Sequence, residues 1–236
     1  MKGHVHKHIG IIGGMGMESS ILMQKKMLEY HTINCNNCPY PKLTFFPVNL
    51  KKVINFQVYN KMNEYVEYLS DCIFILEKAG CEFVSIAAVT PHILYNELVK
   101  KSNLPILHIV ENSLDQILKL DNKEILVLAT SYTNKSGIIS EKLNPLGFQL
   151  KMPIKEDQEM LDYIIYHKLV KGIHTNVEKE MVSSLVRQYN TKNVLLACTD
   201  LSVLELKETK NISFIDLLDN HARKTLHSSL SNIIDF

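Results

Sequence analysis

Two segments of this chain end an apolar run in the same way, and only one of them carries a thiol. Cys198 directly follows the run 194–197, and Ala88 directly follows the run 83–87, 198 − 88 = 110 residues earlier. A thiolate is both a base and a nucleophile, and backbone N–H groups at a strand end can lower the pKa of a thiol. Two interpretations stay open: a site built for two opposed bases, of which only Cys198 remains, or a buried structural cysteine.

The loop 13–20, Gly-Gly-Met-Gly-Met-Glu-Ser-Ser, follows a predicted strand and opens a predicted helix. Ser19 stands where a dinucleotide-binding pattern has its last glycine, and the loop lacks the lysine of a P-loop. Two interpretations stay open. Backbone N–H groups at the helix start would bind a small carboxylate, or the loop is a tight turn without a ligand.

The remaining thiols and imidazoles predict no metal or cofactor. Cys35 and Cys38 form a lone Cys-x-x-Cys pair, whereas structural zinc takes four ligands. His92 either reaches the site or fixes its loop, and His108 ends an apolar run. A pyridoxal phosphate enzyme needs a Schiff-base lysine and a phosphate cup, and neither is evident.

The composition restricts the class of protein. The 26 basic residues nearly match the 25 acidic ones, so neither a nucleic-acid partner nor a membrane surface is expected. No apolar stretch reaches the roughly 20 residues that span a bilayer, and the N-terminus lacks the apolar region of a signal peptide. We therefore expect a cytoplasmic protein whose five cysteines are reduced.

Short apolar runs alternate with helical patterns along the chain. The runs are continuously apolar, which indicates buried strands of a parallel sheet; they cover 8–13, 43–48, 83–87, 104–108, 125–129, 194–197 and 212–215. Apolar residues spaced by three and four predict helices over 62–76 and 156–170. This alternation predicts right-handed strand–helix–strand units and an α/β fold.

The chain also shows signs of internal duplication. The strands around Ile9 and Ile125 both lead into loops of small residues, and their offset of 125 − 9 = 116 is close to the 110 found above. Two pseudo-symmetric domains are predicted, each a small parallel sheet flanked by helices, with residues 1–115 plus 211–236 in the first and 116–210 in the second. Ligands bind at the carboxyl ends of strands in open α/β sheets, so one cleft should collect Met15, Thr90, Thr130 and Cys198.

Three motifs add a family resemblance. Segment 11–20 is Ile-Ile-Gly-Gly-Met-Gly-Met-Glu-Ser-Ser, segment 86–92 is Ile-Ala-Ala-Val-Thr-Pro-His, and segment 196–200 is Leu-Ala-Cys-Thr-Asp. In this order they resemble the opening motif, the Cys-Asn-Thr-x-His signature and the Gly-Cys-Thr-Glu signature of the aspartate/glutamate racemase family, in its aspartate racemase branch. The resemblance extends over nearly the whole chain.

The resemblance implies a homodimeric, cofactor-independent racemase that acts on aspartate or glutamate. One cysteine thiolate of such enzymes removes the α-proton, and the other thiol delivers a proton to the opposite face. Carried over by motif, Cys198 is one of the pair, Ala88 stands at the position of the other, and Thr90 lies beside it. Lys171 matches a lysine that some members use for the distal carboxylate. The implied substrate contacts are Met15, Gly16, Asn49, Gln57, Val89, Thr90, Thr130, Thr133, Lys171, Thr199 and Asp200.

The first signature departs from the family pattern at two positions. Ala88 and Val89 replace its cysteine and asparagine. Losing an oriented acid or base costs a factor of about 10²–10⁴ in rate, so we expect impaired racemisation in which Thr90, His92 or a water serves the second face. Three alternatives stay open: a natural cysteine replaced at position 88, a catalytically silent dicarboxylate-binding homologue, and a one-base lyase or decarboxylase.

Overall fold

Two parallel sheets of four strands each form the framework of the protein. The computed structural model describes residues 6–34 and 39–230. The first sheet has the order β2-β1-β3-β4 and the second β6-β5-β7-β8. The strands are β1 Ile9–Gly13, β2 Leu43–Pro47, β3 Phe83–Ile86, β4 Ile106–Leu107, β5 Glu124–Leu128, β6 Gln149–Lys151, β7 Asn193–Leu196 and β8 Ser213–Asp216.

Helices follow the strands and cover the sheets. They are α1 Met17–Asn34, α2 Leu50–Val58, α3 Met62–Lys78, α4 Tyr95–Lys101, α5 Leu114–Ile117, α6 Ser131–Ser136, α7 Ile138–Leu143, α8 Lys155–His167, α9 Asn176–Tyr189 and α10 Leu217–Ser229. Short 3-10 helices begin at Thr90 after β3 and at Thr199 after β7. Within the described residues, no helix has both the length and the apolarity needed to cross a membrane.

The continuously apolar strands pack on both faces. β1 is buried at all five residues, and β7 at all four. Burial of an aliphatic side chain is worth about 1.5–3 kcal/mol, which explains why these runs occupy the central positions of their sheets. The predicted helix 62–76 is α3, and the predicted helix 156–170 is α8 followed by a 3-10 turn over Leu169–Lys171.

The two halves repeat one plan, which confirms the predicted fold class. Adding four to each strand number of the first sheet gives the order of the second. The hydrogen bonds that end the central strands also correspond: Ala87 N–H donates to Ile12 O over 2.8 Å, and Ala197 N–H donates to Leu128 O over 2.8 Å. The residue after each donor therefore occupies the same place in each half, and these residues are Ala88 and Cys198.

The last crossover between the halves comes later than the predicted boundary at residue 211. β8 pairs in parallel with β7, so residues 213–216 belong to the second sheet, where they cover an edge of β7 that would otherwise lie unpaired. Only α10 returns to the first half, where Leu218 and Ala222 are buried together with Met23 and Met27 of α1. The boundary between residues 115 and 116 stays a prediction.

Strand β6 was missed because its sequence gives no strand signal. Gln149 and Lys151 are exposed, and only Leu150 between them packs against the core of the second half. A three-residue edge strand has too few apolar positions to produce a recognisable run.

Candidate active site

A cleft lies between the halves at the carboxyl ends of the central strands, and its empty volume is about 540 Å³. It is lined by Met15, Leu50, Val53, Ile54, Gln57, Tyr65, Ala88, Val89, Thr90, Pro91, Thr130, Ile165, Tyr166, Val170, Cys198, Thr199 and Asp200. Strand-end residues from both halves thus meet in one cavity, as the duplication predicts.

Cys198 and Ala88 both belong to the wall of the cleft and are both buried, at 9% and 4% exposure. The extended backbone of Cys198 continues the direction of β7 before the 3-10 turn begins at Thr199. Pseudo-symmetry gives Ala88 the equivalent place after β3. The structure therefore brings the thiol and its alanine counterpart into the same cavity.

The protonation of Cys198 differs from the expectation drawn from its strand-end position. Backbone N–H groups of Asp200 and Leu201 do lower the pKa of the thiol, but burial outweighs them, and the nearby carboxylate of Asp200 adds to the rise. The pKa of Cys198 is therefore raised well above its ordinary value. Desolvation penalises the thiolate more than two N–H dipoles stabilise it, so the resting group is a neutral thiol.

Asp200 occupies the place that the sequence suggested for a small carboxylate, at the start of α1. Burial raises the pKa of its carboxyl group to about 6, and the Ser19 hydroxyl and the Gly16 N–H oppose that rise. Gly16 is required here, because a Cβ on that residue would lie 2.8 Å from Asp200 Oδ1. Among the described residues, Oδ1 has no hydrogen-bond partner.

Hydroxyl groups form a chain beside the alanine position. Thr90 Oγ1 lies 2.7 Å from Thr133 Oγ1, and Thr130 Oγ1 lies 3.0 Å from the same atom. Thr130 also caps α6 by accepting from Thr133 N–H, and it is hydrogen-bonded to Tyr166. The chain joins the loop after β3 to the loop after β5 and ends at α8. Such hydroxyls can both donate and accept.

Two further predicted residues approach the cleft from the first half. The Tyr65 hydroxyl lies 3.8 Å from Met15 Sδ and is hydrogen-bonded to Gln57. All three residues line the cleft, and the Tyr65 side chain is fully buried. Tyr65 was not among the predicted site residues, because its position on the apolar stripe of α3 marks it only as a core residue.

Four predicted contacts lie away from the wall of the cleft: Gly16, Asn49, Thr133 and Lys171. Asn49 is exposed and caps α2, its Oδ1 accepting from Lys52 N–H over 3.1 Å. Lys171 is exposed at the end of the 3-10 turn after α8, next to Val170, which does line the cleft. Their contacts with a substrate stay predictions, as do those of the other named residues.

The two candidate histidines lie behind the site. His92 Nδ1 lies 2.9 Å from Ala88 O, and His92 Nε2 lies 3.2 Å from Leu107 O. Burial lowers the pKa of His92 to about 4 and that of His108 to about 3. His92 is thus a neutral ring that holds the loop after β3, as one of the two interpretations predicts.

No group of three or more His, Cys, Asp or Glu residues is arranged to hold a metal ion in the described part of the chain. Cys35 and Cys38 lie outside the described residues. Cys72 and Cys81 are buried free thiols in the core of the first half.

Aliphatic side chains complete the cleft, and the sequence analysis missed them. They come from α2 and from α8 with its following turn: Leu50, Val53, Ile54, Ile165 and Val170. The α2 residues, with Gln57, repeat at spacings of three and four, which indicates an inward face of a helix. That spacing was available in the sequence, but it does not say whether the face meets the core or a cavity.

Two repeated parallel α/β halves with a strand-end thiol in the cleft between them define a class of protein, the amino-acid racemases of two-domain α/β architecture. The sequence model of the Asp/Glu/Hydantoin racemase family matches residues 12–225. The chain belongs to that family, and it is an isomerase of the amino-acid racemase type.

Individual relatives agree with this assignment. The chain is 25% identical over 235 residues to the broad specificity amino-acid racemase RacX of Bacillus subtilis (strain 168), covering 94% of this chain and 98% of the relative. It is 29% identical to the solved structure of an aspartate racemase homologue from Pyrococcus horikoshii OT3, with a TM-score of 0.79 and coverage of 94% and 99%. The Picrophilus torridus aspartate racemase shares the fold, with a TM-score of 0.76 at 22% identity and 94% coverage of both chains.

Proposed function

We propose that the protein racemises an amino acid by cofactor-independent proton transfer, with the thiol of Cys198 as base and acid at one face of the α-carbon. The observation that carries the proposal is the equivalence of Cys198 and Ala88, which follow corresponding strands and line one cleft. Proton transfer by positioned side chains is worth a factor of about 10²–10⁴ each, so one remaining thiol supports a slow reaction.

The chemical step is a proton transfer at carbon. Substrate binding releases the proton of the Cys198 thiol to solvent. The resulting thiolate takes the α-proton, an S–H bond forms, and the electron pair of the broken C–H bond remains at the α-carbon, delocalised toward the α-carboxylate. The substrate's α-ammonium group, on binding, opposes the rise in the pKa of Cys198 because a positive charge favours the thiolate. Return of the proton from Cys198 regenerates the starting enantiomer.

Inversion needs a proton donor at the opposite face, where Ala88 has none to give. Thr90 is the nearest candidate by sequence, and it is linked through Thr133 to Thr130. We propose that the Thr90 hydroxyl, or a water beside Ala88, delivers that proton and is reprotonated along the hydroxyl chain. A neutral hydroxyl is a much weaker acid than a thiol, so inversion should be slower than exchange at the Cys198 face.

Aspartate and glutamate are the substrates that the family resemblance predicts, and the test begins with them. The protein is incubated in heavy water with each enantiomer, and loss of the α-proton signal is followed by NMR while chiral chromatography follows inversion. We expect exchange from one enantiomer to exceed inversion. Cys198→Ser should reduce exchange by about 10²–10⁴-fold, and Cys72→Ser, a buried thiol away from the cleft, is the matched control. Equal rates for Cys198→Ser and wild type would exclude the thiol mechanism.

A one-base reaction is the second candidate, and Ala88 is the observation that favours it. A decarboxylase needs a single proton donor, which Cys198 provides, to protonate the carbanion left after loss of carbon dioxide. Release of carbon dioxide from a substituted malonate, with no α-proton exchange from any amino acid, would favour this reaction. Binding without either reaction would indicate a catalytically silent homologue.

We also propose a homodimer, as the family resemblance implies, and a cytoplasmic location, as the sequence predicts. Sedimentation equilibrium should give twice the chain mass of 27.0 kDa. A monomer at micromolar concentration would contradict the dimer.

A further inference from the structure

Within the described residues, the wall of the cleft carries a single charged side chain, and it is negative. Among the described residues, no lysine, arginine or histidine lines the cleft, whereas Asp200 does. Lys171 is exposed outside the wall, and Lys52 Nζ instead lies 4.3 Å from the centroid of the Tyr68 ring. A distal carboxylate of aspartate or glutamate would therefore enter a cavity that offers it no cation.

The charge of Asp200 lies at the reacting end of the cleft. Asp200 is two residues beyond Cys198, and its backbone N–H is hydrogen-bonded to the thiol. The carboxyl group is 3% exposed, and its Oδ1 atom has no hydrogen-bond partner within the described part of the chain. The Ser19 hydroxyl and the Gly16 N–H bind this carboxyl group, but neither carries a charge. A buried carboxylate beside the proton-transfer group therefore suits the α-ammonium of an amino acid, because a buried charge needs a partner of opposite sign.

The opposite walls of the cleft are apolar. Leu50, Val53 and Ile54 of α2 face the same cavity as Ile165 and Val170 of the second half. Val89, which stands where the family signature has asparagine, is 3% exposed and adds another aliphatic group to the lining. The polar groups that remain are hydroxyls and the amide of Gln57, which are neutral.

We propose that the cleft takes amino acids with an uncharged, apolar side chain, such as leucine or methionine, and that Asp200 binds their α-ammonium group. This inference rests on the proposed function for the reacting atoms and narrows its substrate class. The hydroxyls of Thr90, Thr130 and Thr199 are left for the α-carboxylate. The carboxylate of Asp200 then neutralises the positive charge of the α-ammonium group, and the aliphatic wall contacts the side chain of the substrate.

Binding measurements on the wild-type protein test the substrate class directly. Calorimetry is run with the D and L forms of leucine, methionine, aspartate, glutamate and lysine, and α-proton exchange in heavy water is recorded for the same panel. A carboxylate that is buried without a partner loses its hydration uncompensated, so leucine or methionine should bind at least about tenfold more tightly than aspartate. Tighter binding of aspartate, glutamate or lysine would overturn the inference.

Three variants separate the two ends of the ligand. Leucine is compared with 4-methylpentanoate, which lacks the ammonium group. Asp200→Asn should remove the preference for leucine, whereas Asp121→Asn, in the exposed loop before β5, should retain it. Ile54→Lys places a cation in the half-buried wall and should improve glutamate binding relative to leucine. The assignment would be contradicted if Asp200→Asn still prefers leucine over 4-methylpentanoate and Ile54→Lys binds glutamate, relative to leucine, no better than the wild type does.

The experiments distinguish failure of the apolar substrate class from failure of the proposed racemisation. Leucine binding without α-proton exchange would support the substrate class and contradict the proposed racemisation. Exchange confined to aspartate, and lost in Lys171→Met, would support racemisation and overturn the apolar class. No binding by any amino acid at millimolar concentration would overturn both.

Discussion

The side-chain hydroxyls of Thr90 and Thr133 lie 2.7 Å apart and join the two halves of the protein beside the cleft. Thr90 follows β3 of the first sheet, and Thr133 lies in α6 after β5 of the second. Thr90 lies two residues after Ala88, and both residues line the cleft. Thr133 is 1% exposed, so it acts on a ligand only through Thr90 or Thr130.

Removing the Thr133 hydroxyl should slow inversion more than α-proton exchange. Thr133→Val keeps the shape of the side chain but breaks the chain between Thr90 and Thr130, so a proton donated by Thr90 is replaced less readily. We expect inversion to fall about tenfold or more, which is less than the factor of about 10²–10⁴ that a direct proton donor supplies, because Thr133 acts only through Thr90. Chiral chromatography measures inversion, and NMR in heavy water measures exchange. Thr133→Ser retains the hydroxyl and should restore the wild-type ratio, whereas a normal ratio in Thr133→Val would exclude the hydroxyl chain.

Restoring a thiol at position 88 should accelerate racemisation. Ala88 is in the wall of the cleft at the position equivalent to Cys198, so Ala88→Cys supplies the second face with an acid and base. An increase of about 10²–10⁴-fold in inversion is expected. The double variant Ala88→Cys with Cys198→Ser keeps one thiol only and should lose the gain. A rate that does not change in Ala88→Cys would contradict the two-base assignment.

A methyl group at Gly16 should disturb Asp200 and with it ligand binding. The added Cβ would lie 2.8 Å from Asp200 Oδ1, which is too close for a carbon–oxygen contact. Gly16→Ala is expected to weaken amino-acid binding at least about tenfold, because even small misplacement of a binding group is expensive. Gly147→Ala is the control, since nothing lies within 4 Å of its Cβ position. Alanine at this positive φ of 83° should reduce folding stability, but residue 147 does not line the cleft. Equal calorimetric affinities in Gly16→Ala and wild type would refute the contact.

Asp200 should make the protein less stable as the pH rises. Burial raises the pKa of Asp200 to about 6 from an ordinary value of 3.8. The folded state therefore favours the protonated acid. The raised pKa of Asp200 contributes to the free energy of unfolding, and this contribution is complete below pH 4 and lost as the pH rises through 6. Asp200→Asn removes this loss. The free energy of unfolding of the variant minus that of the wild type should therefore be larger at pH 8 than at pH 4, by on the order of 2 kcal/mol. Urea unfolding at the two pH values measures the difference. A pH-independent difference for Asp200→Asn would show that the carboxyl group titrates normally.

Most of the framework could be predicted from the sequence, because burial on both faces of a parallel sheet leaves a local signal. Continuous apolar runs identified seven of the eight strands that the described residues form, and the offset between Ala88 and Cys198 identified the duplication. The polar edge strand β6 left no such signal. The late return of the chain through α10 depends on which edge of β7 was open, and that is settled only when the second sheet is assembled.

Within the site, the sequence by itself determined which residues follow the central strands: Met15, Ala88, Thr90, Thr130 and Cys198 all line one cleft. The tertiary structure alone decided what surrounds them. Asn49 caps a helix, Lys171 is exposed, and a wall of aliphatic side chains from α2 and α8 faces the thiol's cavity. The physical reason is that strand ends are fixed by local hydrogen bonding, whereas charge, burial and pKa depend on segments that are distant in sequence and meet only in the folded protein.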